Sequence, residues 1–319
     1  MTYKKKFNAL VSVICALLII YIAGIIFSPQ RRDTRAASFV WLDQKLTERI
    51  SRISLSYNEQ NFEFLKNGNQ WSVLYEGNEY PGKKFRIEDF ISIITEKGQW
   101  SLRSSDASTH NRFGLDTDAA SRITIYGENA LLLDLLLGFT DDAGQIYARK
   151  YGENEVRSGE NNFYFYLSGH VSSWYNLRLF PENEEGYEPD NVQKLSVYTN
   201  EGIQIFSQIN RFWNLSVSDH ITGFAPLNVS QIAVENYLRN ILTSEGNDYI
   251  NINYLPFIDF NDRRIVIEFG NGKTVTVGFS EPDEDDRCLA HIEGGNFIFS
   301  IPSWVSARIF RNASGFEMQ

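Results

Sequence analysis

Residues 53–75 read ISLSYNEQNFEFLKNGNQWSVLY, and this stretch decides how the rest of the chain is interpreted. Apolar and polar residues alternate through three short runs, and the asparagine-rich segments 58–61 and 67–69 separate them. Alternation with a period of two is typical of a strand that buries one face, and asparagine and glycine favour turns. The stretch therefore predicts a three-stranded antiparallel meander.

A helix is predicted directly downstream of this meander. Ile87, Phe90, Ile91 and Ile94 have the spacing that places side chains on one face of a helix. Further strands and a short closing helix are expected over residues 123–125, 131–137, 146–149, 163–167 and 171–180, in that order. Together these elements make one small α+β unit.

The same order of elements starts again after residues 181–191, an acidic stretch with two prolines that reads as a linker. Trp71 and Trp213 lie 142 residues apart, as do Ile123 and Ile265. The second predicted helix repeats the apolar spacing of the first with Val234, Tyr237, Leu238 and Ile241. Spacing this regular predicts an internal duplication into two domain-sized units.

The predicted organisation has four segments. Residues 1–35 hold an N-terminal membrane anchor and its flanks, 36–180 the first α+β domain, 181–191 the linker and 192–319 the second α+β domain. Gly138 and Gly278 lie 140 residues apart at matching strand ends, and Trp174 and Trp304 lie 130 apart. The loss of ten residues between these pairs falls in one loop, which is shorter in the second half.

The anchor is predicted from residues 7–27, an apolar run from Phe7 to Phe27 without a charged residue. A helix of this length spans about 31 Å, the thickness of the hydrocarbon core of a bilayer. Three lysines precede the run and three arginines follow it, so the charges only weakly favour a cytoplasmic N terminus. A cleaved signal peptide is the alternative, but its apolar core is shorter.

The predicted fold class is therefore α+β, with a single N-terminal transmembrane helix followed by two tandem, internally duplicated β-rich α+β domains. We expect residues 7–27 to contact the lipid bilayer. The formal net charge is −10, and residues 1–35 carry six lysines or arginines and one acidic residue, so residues 36–319 carry −15. A body this acidic repels nucleic acid and anionic lipid headgroups, so no nucleic-acid partner is expected.

Motifs for catalysis, cofactors and metals are absent from the sequence. The four histidines have no H-x-x-x-H spacing, and neither G-x-S-x-G nor a P-loop occurs. These histidines are His110, His170, His220 and His291. Cys288, the only cysteine outside the apolar run, has Arg287 as its one cationic neighbour in sequence and reads as an inert thiol. We predict no catalytic, cofactor-binding or metal-binding residue, no cofactor and no enzymatic activity.

Two features have a structural and a functional interpretation. The acidic run 281–286, from Glu281 to Asp286, is either a hard-cation site or a solvated hairpin loop, and its lack of interleaved glycine and asparagine favours the loop. Four tryptophans at repeated positions are either ligand-stacking platforms or core residues, and their recurrence favours the core. These tryptophans are Trp71, Trp174, Trp213 and Trp304.

A resemblance to a known family rests on motifs in the first half. After the apolar N-terminal run come W-x-V at 71–73, Tyr80-Pro81, FGLD at 113–116, a strand ending at Gly138, IYAR at 146–149 and FYFY at 163–166. The pattern resembles the bacterial membrane-anchored family of domain of unknown function 4340, over residues 50–180 and, through the repeat, to 310. The second half departs from the FGLD motif and reads YLPFIDFND before Arg263.

The resemblance implies a function but no catalytic residues. It implies a bacterial chain at the inner membrane, with its body on the periplasmic side, that accompanies permease or auxiliary subunits of an ABC transporter. We therefore predict a non-enzymatic, membrane-anchored extracytoplasmic accessory or scaffold protein. The alternative is an extracytoplasmic glycan- or peptide-binding module, which needs an exposed aromatic cluster, and a cell-envelope hydrolase is the weakest alternative.

Overall fold

The computed structural model describes residues 14, 16–18, 21, 37–116, 120–128, 130–180, 188–219, 223–284 and 287–317. The chain divides into two compact units, Met1–Trp174 and Tyr175–Gln319. Each unit is built around one large antiparallel sheet.

The first unit contains a ten-stranded antiparallel sheet of order β1-β6-β10-β9-β8-β7-β2-β3-β4-β5. Its strands are β1 (Ala37–Phe39), β2 (Ile50–Tyr57), β3 (Gln60–Asn67), β4 (Gln70–Tyr75), β5 (Asn78–Pro81), β6 (Gly98–Ser104), β7 (Ser121–Gly127), β8 (Leu131–Thr140), β9 (Gln145–Lys150) and β10 (Val156–Glu160). Its helices are α1 (Lys84–Thr95) and α2 (Tyr164–Leu167), with 3-10 turns at Gln44–Arg49, Ala107–Thr109, Asn111–Phe113 and Val171–Trp174.

The second unit contains a nine-stranded antiparallel sheet of order β14-β13-β12-β11-β16-β17-β18-β19-β15. Its strands are β11 (Val192–Thr199), β12 (Gly202–Ile209), β13 (Phe212–Ser218), β14 (Ala225–Leu227), β15 (Asp248–Ile250), β16 (Arg263–Phe269), β17 (Thr274–Phe279), β18 (Cys288–Ile292) and β19 (Ile298–Ile301). Its helices are α3 (Gln231–Leu242) and α4 (Ser303–Ile309), with 3-10 turns at Pro189–Asn191, Ile252–Phe257 and Ala313–Phe316.

The two sheets share one connectivity. Read from the meander edge, β5-β4-β3-β2-β7-β8-β9-β10-β6 in the first unit corresponds strand by strand to β14-β13-β12-β11-β16-β17-β18-β19-β15 in the second. The edge strand carries a proline in both units, Pro81 in β5 and Pro226 in β14. Proline cannot donate a ladder hydrogen bond, so these edges resist pairing with another strand.

The opposite edge of each sheet is covered by the segment that precedes the meander in the chain. In the first unit β1 pairs antiparallel with β6. In the second unit Arg178 forms an antiparallel bridge with Glu245, and the backbone N–H of Leu179 donates to the carbonyl oxygen of Ser244 at 3.1 Å. The connectivity is therefore repeated even where one covering segment is too short to count as a strand.

The predicted helices are confirmed by their buried faces. In α1 the residues Ile87, Phe90, Ile91 and Ile94 face the core, as the spacing predicted. In α3 the buried residues include the predicted Val234, Tyr237, Leu238 and Ile241. Each helix thus packs its apolar stripe within its own unit, while the polar face remains at the surface.

The predicted fold class, an α+β fold behind a single transmembrane helix, is wrong. The described residues form two antiparallel sheets with few helices. Polar stretches without clear alternation, such as Gly98–Ser104 and Val156–Glu160, pair as strands β6 and β10 because the ladder partners satisfy their backbone. Conversely, the predicted strand 163–167 is largely helix α2, and the predicted helix 171–180 shrinks to the 3-10 turn Val171–Trp174.

The membrane anchor is corrected with the fold class. Within the described part of the chain, no helix is both long and apolar enough to cross a membrane. Most of the predicted anchor, residues 7–27, lies outside the described residues, as do residues 181–187 of the predicted linker.

The buried tyrosine of α3 predicts a pH dependence for the second unit. Burial raises the pKa of Tyr237, whose hydroxyl donates to the backbone carbonyl of Ile309. The folded state therefore keeps this tyrosine neutral at a pH where the unfolded chain ionises it. Stability is complete below pH about 10 and falls above it by up to about 1.4 kcal/mol per pH unit.

Urea unfolding of the second unit at pH 9 and pH 11 would measure this loss. The Tyr237→Phe variant should show a shallower decline, because one of the two strongly shifted tyrosines is gone while the partly buried Tyr249 remains. An unchanged slope in Tyr237→Phe would contradict the assignment.

Candidate functional site

A nucleus of packed aromatic rings lies between α1, α2 and the meander of the first unit. Trp174 is fully buried, and its ring lies 4.8 Å from that of Phe64 and 5.4 Å from that of Phe90. Its Nε1 donates to the hydroxyl of Tyr57 at 3.2 Å. Burial raises the pKa of Tyr57, so this hydroxyl stays neutral. The nucleus therefore gives rigid support to the side chains that pack on it.

Arg86 lies on this nucleus and is surrounded by aromatic rings. Its guanidinium carbon lies 4.8 Å from the ring centre of Phe165, 5.2 Å from that of Tyr166 and 4.7 Å from that of Trp174. Its Nη2 donates to the carbonyl oxygen of Phe165 at 3.0 Å. We call Arg86, Phe165, Tyr166 and Trp174 the Arg86 cluster.

The electrostatics of the Arg86 cluster follow from partial burial. Desolvation lowers the pKa of Arg86, and the nearby hydroxyls of Tyr166 and Tyr57 act in the opposite direction. No acceptor among the described residues reaches its buried Nε. The positive charge of Arg86 is therefore stabilised mainly by ring faces and one carbonyl oxygen. Each cation–π contact contributes about 0.5–2 kcal/mol of stabilisation, depending on exposure.

Local sequence explains why these groups meet. The stripe of α1 faces the core, and Arg86, directly before the buried Ile87, lies at the edge of the packed face. The backbone N–H of Lys83 donates to the carbonyl oxygen of Trp174 at 2.7 Å, which fixes the start of α1 against the 3-10 turn. Phe90 contacts Tyr166 with ring centres 5.5 Å apart, which brings α2 onto α1.

An exposed aromatic surface adjoins the Arg86 cluster. Tyr164 and Phe165 are each more than 60% exposed. Both lie on α2, which Arg86 holds through its bond to the carbonyl oxygen of Phe165. We call these two residues the aromatic rim. Exposed aromatic residues beside an arginine are characteristic of protein-binding surfaces.

The three histidines that the structure describes each contact a different group. His110 contacts the carbonyl of Asn154 at 3.3 Å, His170 contacts Ser172 at 3.2 Å, and His291 contacts the carbonyl of Phe297 at 3.0 Å. His220 lies outside the described residues. Across the ranges that the structure describes, no group of three histidine, cysteine or carboxylate side chains is arranged to hold a metal ion.

Cys288 has a different neighbour from the one that the sequence suggested. Its Sγ is buried and lies 3.4 Å from Oγ of Ser306 and 3.9 Å from Nη1 of Arg263. Arg263 also donates to Ser306 at 3.2 Å and stacks on Phe310 at 4.3 Å. Sequence reasoning missed Arg263 because it reaches Cys288 across the sheet, and the buried thiol remains inaccessible.

The acidic run 281–286 is engaged by the protein's own side chains. Asp283 accepts from Nε of Arg287 at 3.2 Å, and Glu281 accepts from Asn200 at 3.0 Å. Asp285 and Asp286 lie outside the described residues. Asp283 therefore pairs within the β17–β18 connection, and Glu281 accepts from the β11–β12 turn.

Three of the four tryptophans are core residues, and the fourth is not. Trp71 and Trp213 are buried, as is Trp174. Trp304 is 57% exposed, with the guanidinium of Arg308 over its ring at 4.7 Å. The core prediction is wrong for Trp304 because α4 turns Val305 and Ile309 inward instead. Trp174 is the last residue of the 3-10 turn Val171–Trp174, in which residues three apart lie on the same side. Because Val171 is buried, Trp174 is buried on the same side.

The motif at 113–116 is a structural turn. Gly114 has φ 67°, a left-handed conformation that favours glycine. Leu115 is fully buried, and Nη2 of the buried Arg149 donates to its carbonyl oxygen at 3.1 Å. The motif therefore fixes a loop against β9 rather than exposing a reactive group.

Fold and surface together describe a β-rich protein of two similar units, with exposed aromatic side chains beside the Arg86 cluster of the first. Residues 71–214 match a family described as "Domain of unknown function (DUF4340)". The match confirms the resemblance to this family over that stretch, which contains all of the Arg86 cluster.

Other comparisons add little. No curated protein matches the chain. Among solved structures, one described as a DNA polymerase III beta subunit from Eubacterium rectale matches with 10% identity and a TM-score of 0.14. That match covers 84% of this chain and 61% of the other, so this chain spans less than two thirds of its length. A TM-score this low does not indicate a shared fold.

Proposed function

We propose that this chain is a non-enzymatic accessory or scaffold protein that binds a partner protein through the aromatic rim of its first unit. The observation that carries the proposal is the combination of two exposed aromatic side chains with a rigid base. Tyr164 and Phe165 are exposed, while Arg86, packed on Trp174, binds the backbone of α2 that carries them.

Rigidity is what makes this surface suited to binding. A side chain that is already held in place loses little conformational entropy when a partner covers it. Aromatic and arginine residues at the centre of an interface each contribute about 2 kcal/mol or more when truncation removes them. The rim offers stacking and apolar contact, and its two residues bring no carboxylate.

The identity of the partner in this proposal rests on the family resemblance. Members of that family accompany ABC-type transporters, so we propose a permease or auxiliary subunit of such a complex on the extracytoplasmic side. The acidic body, with −15 over residues 36–319, supports a protein partner over nucleic acid. The transmembrane helix is not part of this proposal.

Removing the rim should abolish partner binding without unfolding the protein. In the double variant Tyr164→Ser, Phe165→Ser, recovery of transporter subunits from detergent-solubilised membranes of the parent bacterium should fall about tenfold or more. The bond from Arg86 to the backbone carbonyl of Phe165 does not depend on the Phe165 side chain.

Leu131→Ser is the matched control, because Leu131 is also exposed in the first unit but lies on β8, outside the rim. It should leave recovery unchanged. If the wild-type chain is recovered without transporter subunits, the proposed partner is wrong. If the rim variant and the control behave alike, the rim is not the binding surface.

The alternative function, a glycan- or peptide-binding module, is favoured by one separate feature. A groove of about 580 Å³ in the first unit has a polar lining that includes Gln99, Gln145 and Glu160, with Trp100 and Phe163 beneath it. Soluble peptidoglycan fragments carry both glycan and peptide and would test it by calorimetry. Binding that survives the rim substitutions, with no transporter recovered, would favour this alternative.

A further inference from the structure

The connection between β15 and β16 in the second unit presents apolar side chains to solvent. Phe257 is 84% exposed and Tyr254 is 58% exposed, and Pro256 between them is exposed as well. We call residues 252–260 the apolar loop. Leaving this much aromatic surface in water is unfavourable at about 25 cal/mol per Å², so a functional reason is expected.

The fold does not require this apolar surface. The corresponding connection in the first unit, between β6 and β7, reads ASTHNRFGL over residues 107–115 and is mostly polar. Its two large apolar residues turn inward: Leu115 is fully buried, and Phe113 packs on Tyr147 with ring centres 4.7 Å apart. One connectivity thus supports either a polar or an apolar loop, and only the second unit has the apolar form.

The apolar loop is held in a defined conformation. The side chain of Asn251 accepts from the backbone N–H of Asn253 at 2.9 Å, and that of Asp259 accepts from Asn261 at 2.8 Å. Phe260 attaches its end to the sheet, with its ring 5.8 Å from that of His291. Tyr254 and Phe257 project from this framework, so a partner would meet a preformed surface.

The charged residues around the loop indicate which kind of partner surface would bind there. Residues 243–264 contain four carboxylates and two arginines, Arg263 and Arg264, so this stretch has a formal charge of −2. These carboxylates belong to Glu245, Asp248, Asp259 and Asp262. The guanidinium of Arg264 donates to the carbonyl oxygen of Asn261 at 2.6 Å, at the end of the loop. Negative charge beside exposed aromatic groups repels anionic lipid headgroups and attracts a surface that combines apolar and basic side chains.

We propose that the apolar loop is a docking surface for a basic amphipathic segment of a partner protein. The inference does not rest on the aromatic rim, since it uses different residues in the other unit. It gives the second unit a binding surface at a loop where the first unit has none, and it explains why the repeat diverges most clearly before Arg263.

A defined peptide pair tests the proposal. The probe is a fluorescein-labelled helical peptide of leucine and lysine, with leucine along one face, and its partner carries glutamate in place of lysine. The full-length chain should bind the lysine peptide and not the glutamate peptide, as read by fluorescence anisotropy. Phe257→Ser should weaken the lysine peptide about tenfold or more, as expected for a central aromatic contact.

Two controls make the result decisive. Phe212→Ser removes an aromatic side chain that is also exposed, at the β12–β13 turn, and should leave the affinity unchanged. The Tyr164→Ser, Phe165→Ser rim variant should also bind the peptide normally, which separates this inference from the proposed function. Equal binding of both peptides, equal loss in Phe212→Ser, or binding to phosphatidylglycerol vesicles instead of the peptide would overturn the proposal.

Discussion

Replacing Trp174 with alanine is expected to lower the free energy of unfolding of the first unit by about 3–5 kcal/mol. The side chain is fully buried, and it contacts the rings of Phe64 and Phe90 as well as the guanidinium of Arg86. Its removal leaves a cavity that these rigid neighbours cannot fill. It also removes the donor that satisfies the buried hydroxyl of Tyr57.

The measurement is urea unfolding of the full chain, with hydrogen exchange of strands β2–β4 to assign the loss to the first unit. Trp304→Ala is a matched control, since the same residue at the position predicted to be equivalent is exposed. It should cost no more than about 0.5 kcal/mol. Trp174→Phe should fall between alanine and wild type, which keeps the test informative if the alanine variant does not fold. Equal losses in Trp174→Ala and Trp304→Ala would contradict the packing described.

The same substitution links the core to the proposed binding surface. Trp174 supports Arg86, which in turn holds the backbone of Phe165. Trp174→Phe should therefore weaken partner recovery more than its effect on stability alone explains, because the rim loses its rigid base.

The sequence predicted elements well where burial is periodic. The meander at 53–75 and the stripes of α1 and α3 have one buried face each, and this is what produces a readable pattern. The prediction failed where backbone hydrogen bonds alone make a segment a strand. β6 carries Gln99, Ser101 and Arg103 among its residues, and only its ladder partners make it a strand. The predicted fold class therefore assigned too few residues to the sheets.

The candidate site was harder to predict because it depends on convergence in space. Arg86, Phe165 and Trp174 come from α1, α2 and a 3-10 turn that are far apart in sequence. The FYFY run at 163–166 could have indicated this site. One face of a strand buries only every second residue, so a strand here could not bury all four aromatic side chains on one face. The divergent stretch before Arg263 was visible in the sequence, but its exposure required the structure.

Glycine at position 138 is expected to be required by the close approach of a second backbone segment. A Cβ added to Gly138 would lie 2.0 Å from the carbonyl oxygen of Phe113 and 3.1 Å from the carbonyl carbon of Gly114. These are backbone atoms, so no side-chain rotation relieves the clash. Arg149 holds the same loop through the carbonyl of Leu115, which further limits its movement. Gly138→Ala should therefore destabilise the first unit by about 3 kcal/mol or more.

The second unit offers both a replicate and a control for this prediction. A Cβ at Gly278 would lie 2.6 Å from the carbonyl oxygen of Phe260, so Gly278→Ala should also be strongly destabilising. Among the described residues, no atom lies within 4 Å of a Cβ added at Gly223, so Gly223→Ala should be close to neutral. Urea unfolding of the three variants would decide, and a tolerated Gly138→Ala would contradict the close approach.

Gly138 and Gly278 lie at matching positions of the repeat. Each allows the loop that precedes β7 or β16 to pack closely against the sheet. Both units thus constrain where that loop attaches while leaving its outer residues free to differ, which is how one connectivity carries a buried turn in the first unit and an exposed apolar loop in the second.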